Sequence, residues 1–546
     1  MATVHVGKDD NATSQAAMDG EDFTPVEQRD EAIEFAERKD LKRGLHQRHI
    51  QMIGLCGAIG TGLFLGSGKA VAQAGPLGAF LGYTFVGLLV VGPVFSIAEM
   101  SALVPLSGGI IRHAEIFCDP ALAFADGWNL VYAVMVSAPA EIVAAAVLVQ
   151  FWITINPAIW ITVFGLLLIL SNMILVRIYG ELEFILGILK IMLIIGINIM
   201  ALVIACGGGP NGHAYGFQYW RNPGPFVQYL DIQGSLGRFL GFWTVFANAV
   251  YSFSGVQNIS LAAAETESPR QNIPRAAKRI FWRVGIFYSL TLFMVGLIVP
   301  SDDPKLLRST GTASQSPFVI AATRAGINVL PSVINAIVLT SAWSAGNAAM
   351  LQGSRILFGL AREGRAPAIF TRTNRNGIPW IAVAYFSLFL ALGYMTVSDS
   401  ASTVFTWLQD LTAVAVLIDW CTICMTYLRF YYAMKKQNIS RERLPWAAWG
   451  QPYVAWISLV SFIVLLLTGG YTTFIHGHWD TETFVSHYIN IPIILVLYFG
   501  YKLARGTRVI PLEEVPVLKY ILIAERNPEP ALPPLVGWQK LNVLWS

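Results

Sequence analysis

Charge is what this chain has least of. Only 13% of its 546 residues are Asp, Glu, Lys or Arg, against about 25% in an ordinary soluble domain. With 55% hydrophobic residues, so little charge excludes a string of water-soluble domains of the same length. Cysteine is also scarce. The five (Cys56, Cys118, Cys206, Cys421, Cys424) sit in or beside apolar runs and build no disulfide ladder. Cys421 and Cys424 form a Cys-x-x-Cys inside a hydrophobic run with no histidine partner, so they read as small apolar helix residues, and no metal is expected. There is no His-Glu-x-x-His, no Gly-x-Ser-x-Gly and no pair of aspartates at helical spacing, which argues against an enzyme. No cofactor is expected. A net charge of +3 without a basic block gives nucleic acid nothing to bind. The polar, acidic first 45 residues lack the apolar core of a cleavable signal.

What the chain does have is apolar stretches of about 20 residues, each long enough to cross about 30 Å of hydrocarbon. Twelve are expected, near 50–72, 77–101, 122–151, 158–176, 183–206, 239–264, 281–300, 329–358, 379–397, 403–432, 453–471 and 489–505. The expected organisation is a disordered cytosolic tail over 1–49, a membrane domain over 50–507 and a cytosolic tail over 508–546. The last tail is rich in proline and expected to be mostly irregular.

The loops give an orientation. Those after the sixth, eighth and tenth spans carry Arg270, Arg275, Lys278, Arg279 and Arg283, then Arg355, Arg362, Arg365, Arg372 and Arg375, then Arg429, Lys435, Lys436, Arg441 and Arg443. The alternate loops are poorer, with none between Tyr471 and His487. By the positive-inside rule both termini lie in the cytosol.

Two spans carry glycine and small polar residues where a plain membrane helix would carry leucine. The first reads Gly57-Ala58-Ile59-Gly60-Thr61-Gly62-Leu63-Phe64-Leu65-Gly66-Ser67-Gly68, and the sixth reads Tyr251-Ser252-Phe253-Ser254-Gly255-Val256-Gln257-Asn258. Glycine costs about 1 kcal/mol relative to alanine inside a helix, so both segments are expected to unwind. Unwound backbone at that depth must line protein or a wet cavity. The half-helix that follows then offers amide N–H groups to an anion, and the one before offers carbonyls to a cation. A zwitterion matches both. The positions correspond in two five-helix halves, the arrangement that marks a transporter binding site. Close helix packing through small residues is the competing explanation.

The same residues carry a resemblance that covers nearly the whole membrane region. Leu41-Lys42-Arg43-Gly44-Leu45, Arg48-His49-Ile50 and the Gly57–Gly68 run open it. Ala98-Glu99-Met100, Pro105-Leu106-Ser107-Gly108-Gly109, Pro139-Ala140-Glu141-Ile142 and Gly180-Glu181-Leu182-Glu183-Phe184 follow. Then come Ala263-Ala264-Glu265-Thr266-Glu267-Ser268-Pro269-Arg270, Ile273-Pro274-Arg275-Ala276, Ser344-Ala345-Gly346-Asn347 and Ser354-Arg355-Ile356-Leu357. In order and spacing they resemble fungal amino acid permeases of the amino acid–polyamine–organocation superfamily.

The resemblance implies an all-α polytopic membrane protein of twelve transmembrane helices. These would form a 5+5 inverted repeat with broken first and sixth helices, plus two additional helices. It implies that Gly60, Thr61 and Gly62 receive a substrate carboxylate, with the ammonium against carbonyls near Ala58, Ile59, Ser252 and Phe253 beside Gly255. One departure stands out: where the family commonly has glutamate after the sixth break, this chain has Gln257.

Ionisable residues at membrane depth are functional candidates. Lys190, inside the fifth span, has no acidic neighbour one turn away on its own helix. Burial lowers a lysine's pKa, so Lys190 reads as a proton-coupling residue able to give and take a proton near neutral pH. A lysine snorkelling to the cytosolic interface is the competing reading. By resemblance to bacterial relatives Lys190 takes the place of a coupling sodium ion, touching carbonyls of the first helix. Glu141 in mid third span reads as a proton relay or as a buried structural partner, and Glu99 at the end of the second span carries the same two readings. Asp419 is ambiguous. Phe253 is the expected lid, and Asn347, Thr406 and Trp407 are expected around the substrate.

The function these features imply is proton symport of amino acids, neutral or broad in range, by alternating access across the plasma membrane. A polyamine, choline or GABA carrier of the same fold, or a non-transporting receptor, stays open. The expected partners are the amino acid, protons and the lipid bilayer. Lys8, Lys39 and Lys42 are candidate targets of ubiquitin ligase machinery.

Overall fold

The computed structural model describes residues 60–106, 108–174, 179–260, 268–306, 316–375 and 377–529. Ala58, Ile59, the N-terminal tail and its lysines lie outside the described residues. The described residues are helical, without a strand. The principal helices are α1 (Thr61–Phe64), α2 (Gly66–Leu89), α3 (Val91–Leu103), α4 (Ile110–Phe117), α5 (Pro120–Val149), α6 (Pro157–Ile174), α7 (Tyr179–Ala205), α8 (Gly234–Ser252) and α9 (Pro269–Ile298). They continue as α10 (Pro317–Arg324), α11 (Leu330–Arg362), α12 (Trp380–Phe389), α13 (Ala401–Lys436), α14 (Tyr453–Thr468), α15 (Thr481–Tyr488), α16 (Asn490–Arg505) and α17 (Val517–Arg526).

Among the described residues, seven helical runs are long and apolar enough to cross a membrane, and three shorter apolar helices accompany them. The first run, Gly66–Leu103, holds parts of two expected spans. The chain turns within it at Gly75, where φ is +79 and Pro76 follows. Only glycine takes that backbone without strain. The turn is also tight, since a Cβ there would stand 2.7 Å from the Pro225 carbonyl oxygen.

Packing divides the helices into two groups. In one, α8 and α9 lie along α2, with α9 also against α3. In the other, α5 lies between α11 and α13. Small residues set these approaches. A Cβ at Gly82 would meet Val245 at 2.8 Å, and one at Gly353 would meet Val134 at 2.5 Å. Outward faces keep large apolar residues such as Leu166, Leu170, Ile199 and Val496 exposed, as lipid requires and water forbids.

The basic loops meet at one end of the molecule. Arg441 pairs with Glu99, Arg112 with Glu363, Lys502 with Asp119 and Arg443 with Glu525. In the described part of the tail after Arg508, the stretch Val517–Arg526 is helical. Helix α17 buries Val517, Tyr520 and Ile521, and Arg270 donates to the carbonyls of Ala524 and Asn527. An apolar face spaced at helical period between prolines is enough to dock it.

Candidate functional site

The described part of the first glycine-rich segment and the sixth-span break touch. Gly60 is extended (φ −119, ψ −162) and precedes α1, which runs through helical Leu65 into α2. The amides of Thr61, Gly62 and Leu63 open this helix, and the residues one turn before them lie outside the described residues. At the other break α8 ends at Ser252, and Gly255 has φ +90 before a short turn of helix over Val256–Ser260. A Cβ on Gly62 would lie 2.9 Å from the Ser252 Cα. Only glycine lets the broken helices approach so closely.

Glu141 of α5 sits between them. Tyr251 donates its hydroxyl to Oε1 at 2.9 Å, and Thr61 Oγ1 stands 3.1 Å from each carboxylate oxygen. A Cβ on Gly60 would be 3.4 Å from Oε1. Thus one acid from the third span is held by hydroxyls from both breaks. Phe405 of α13 closes one side, its ring edge-on to Tyr251 at 6.2 Å. From α11, Gly346 abuts the Glu141 Cβ position, and Ala345 abuts Gly60.

Lys190 of α7 meets α11 at Ser344, next to the Ala345 and Gly346 that abut Gly60 and Glu141. Its ammonium donates to Ser344 Oγ at 3.2 Å and lies 3.9 Å from Glu183 Oε1, while Ser344 donates to Glu183 Oε2 at 2.8 Å. Lys190 and Glu183 are each only 1% exposed. No acid lies one turn along the helix from Lys190; its partner is two turns away on the same face. The expected contacts with carbonyls at Ala58 and Ile59 lie outside the described residues.

Several expected site residues sit elsewhere. Phe253 is not over the break as a lid. It stacks on Tyr288 at 4.7 Å, against Gly87 of α2. Asn347 accepts from Ser171 and Asn172, which ties α11 to α6 rather than to the breaks. Glu99 accepts from Arg441, Tyr427 and the Ala448 amide at the basic end of the molecule. Thr406 and Trp407 are half-buried, and it is their neighbour Phe405 that reaches the break, a shift of about 100° around the helix. Gln257 accepts from Trp420 Nε1 at 3.3 Å.

The residues that sequence reasoning misses are hydroxyl bearers and one acid. Tyr251 and Glu183 both lie inside segments singled out for other residues. Tyr288 donates to the Ser252 carbonyl at 2.8 Å, and Tyr83 stands 3.2 Å from Ser252 Oγ. Nothing local in the sequence marks these two, since only the packing of α2 and α9 on α8 brings them there.

Comparison with known proteins places the chain in a family. Residues 49–510 match the amino acid permease family. The chain belongs to that family. Among its relatives in Saccharomyces cerevisiae, the dicarboxylic amino acid permease is 36% identical, over 92% of this chain and 84% of that one. The proline-specific permease is 38% identical over 86% of this chain and 77% of that one. The lysine-specific permease is 35% identical over 89% of this chain and 80% of that one. Among solved structures, a manganese transporter of Eremococcus coleocola shares the fold, with a TM-score of 0.55 at 14% identity over 88% of this permease and 94% of that chain. The permease is a transporter and not an enzyme.

Proposed function

We propose that this permease imports neutral amino acids by proton symport, with Glu141 as the group that takes and releases the proton. The observation that carries the reading is the Glu141 carboxylate lying between Thr61 of one break and Tyr251 of the other. The amides that open the helix after Gly60 suit the substrate carboxylate. That carboxylate would then stand beside Glu141, and two adjacent carboxylates in a water-poor site cannot both be ionised. Binding of the amino acid therefore requires a proton on Glu141, which couples the two uptakes.

The substrate ammonium faces the Ser252 and Phe253 carbonyls. Lys190, held by Glu183 and Ser344, is a fixed cation that lowers the cost of charge at Glu141 when the site is empty. The neutral side chain is supported by Gln257, which brings no charge, and by the engagement of Lys190 with Glu183. Glu99 is given no proton-carrying role, because a guanidinium and two further donors hold it. The ends bearing α17 and the basic loops face the cytosol, in keeping with the positive-inside rule, and the plasma membrane is the place of action.

The test is uptake of a panel of radiolabelled amino acids and amines in a permease-deficient yeast at pH 5 and pH 7.5. Accumulation of neutral amino acids, faster at pH 5, is expected. Accumulation of amines alone would overturn the substrate reading, equal rates at both pH values would overturn the coupling, and no accumulation at all would favour a receptor.

A further inference from the structure

Two carboxylates in the helical core take no part in the Glu141 site. Asp126 of α5 and Asp419 of α13 are 0% and 1% exposed, and one turn from each of them Asn129 of α5 donates to the Ala415 carbonyl of α13 at 2.9 Å. The two aspartates lie on two helices packed along each other. None of their four buried carboxylate oxygens has a donor at full hydrogen-bonding geometry among the described residues, the Thr422 hydroxyl and the Gln257 side chain being the neutral polar groups beside Asp126 and Asp419. That is unusual, because an unpaired buried carboxylate costs several kcal/mol or more and is normally met by donors or a cation.

The groups facing the pair supply no cation. Thr422 and Gln257 stand near Asp126 and Asp419 respectively, and the thiols of Cys421 and Cys424 feel the Asp419 charge. Among the described residues, the buried and half-buried cations and histidines on the surrounding elements are engaged elsewhere, His487 of α15 with the Thr483 carbonyl. His113 of α4 bonds the Val104 carbonyl, Arg365 after α11 pairs with Glu115, and Lys502 of α16 pairs with Asp119. On α13 itself Arg429 donates to the Phe117 carbonyl. Glu141, further along α5, belongs to the breaks. Two bare anions facing each other in such a place would repel without compensation. One proton between them removes a charge and supplies the missing donor, as in other carboxyl pairs.

We propose that Asp126 and Asp419 form a second proton-binding site, a carboxyl pair that keeps a proton across the seam between α5 and α13. The site joins the helix that carries Glu141 to the helix that carries Phe405. Through Trp420, next to Asp419, it also adjoins Gln257 of the sixth-span break. The proton holds the seam closed; its loss sets two like charges against each other there. The assignment is independent of whether transport is proton-coupled, because it is read in the resting protein.

The test is an infrared pH titration of the purified permease in lipid nanodiscs, following the carbonyl stretch of protonated carboxyl groups. Wild type is compared with D126N, D419N, D126N/D419N and, to remove the contribution of Glu141, E141Q. A protonated-carboxyl band persisting at neutral pH in wild type and in E141Q is expected. It should be lost in D126N/D419N. It should also be lost in either single variant, where the new amide donates to the remaining carboxylate in place of the shared proton. The single variants conserve volume and cover the case in which the double variant does not fold. A band unchanged in all three aspartate variants, or absent from wild type at neutral pH, would overturn the site.

Discussion

Glu99 and Glu141 are the same residue type, both nearly sealed from solvent, yet they are built differently. Glu99 receives the Arg441 guanidinium on both oxygens, the Tyr427 hydroxyl and the Ala448 amide. Its charge is neutralised and its lone pairs are occupied, so nothing is left for a passing proton. Glu141 receives hydroxyls alone, from Thr61 and Tyr251, and each of them stands on a helix break. A hydroxyl can donate to a carboxylate or accept from a carboxylic acid, so this cage fits both charge states. Burial alone does not identify a proton carrier. The nature of the partners does.

That contrast can be broken or sharpened by substitution. The largest effect is expected at Glu99→Ala, which strands the part-exposed Arg441 and leaves the buried Tyr427 hydroxyl and Ala448 amide without their acceptor, together about 3–5 kcal/mol. Thermal unfolding in detergent should show a large fall in Tm, and the surviving protein should keep the wild-type pH profile of uptake. A changed profile at normal stability would place Glu99 in the proton path. Lys190→Ala comes next. It leaves Glu183 buried without its cation, a loss of about 3 kcal/mol by the same reasoning, and pH-dependent uptake should disappear. Full proton-driven transport in that variant would remove Lys190 from the mechanism.

Tyr251→Phe is a smaller change. It deletes one donor to Glu141, worth about 1.5–3 kcal/mol for a bond to a charged group. We expect uptake to weaken about tenfold or more, with the alkaline limb of the pH profile shifted to higher pH and Tm lowered less than in the two variants above. Ser344→Ala should be milder still. It loosens the bridge between Lys190 and Glu183 without removing either charge, and a few-fold change in initial uptake rate is the expected reading.

Much of this is legible in the sequence because it lies in local pattern. Glycines around Thr61 and the Ser-Phe-Ser-Gly run locate both breaks, and an acid between Pro139 and a run of alanines marks Glu141. The glycines that let helices touch, such as Gly62 against Ser252, are legible only as unusual composition. What stays hidden depends on rotation about a helix axis. Thr406 and Trp407 stand in the same apolar run as Phe405, but Phe405 has the phase that meets Tyr251. Asn347 points to α6, while its neighbours Ala345 and Gly346 face the breaks. The place of Phe253 in its motif suggests a lid. Tyr288, on α9 outside every marked segment, draws that ring to the other side and has no sequence signal of its own. In the C-terminal tail, proline content masks the helical spacing of Val517, Tyr520, Ile521 and Ala524 that builds α17.

The central claim is that the proton rides on Glu141. It is tested most directly by measuring amino acid and proton movement together in proteoliposomes reconstituted with wild type or Glu141→Gln. Wild type should carry protons inward with the amino acid and concentrate the substrate when the outside is acidic. Glu141→Gln, a permanently neutral isostere, should still exchange labelled for unlabelled amino acid, but without proton movement and without concentrating it. Proton-driven accumulation by Glu141→Gln would contradict the account.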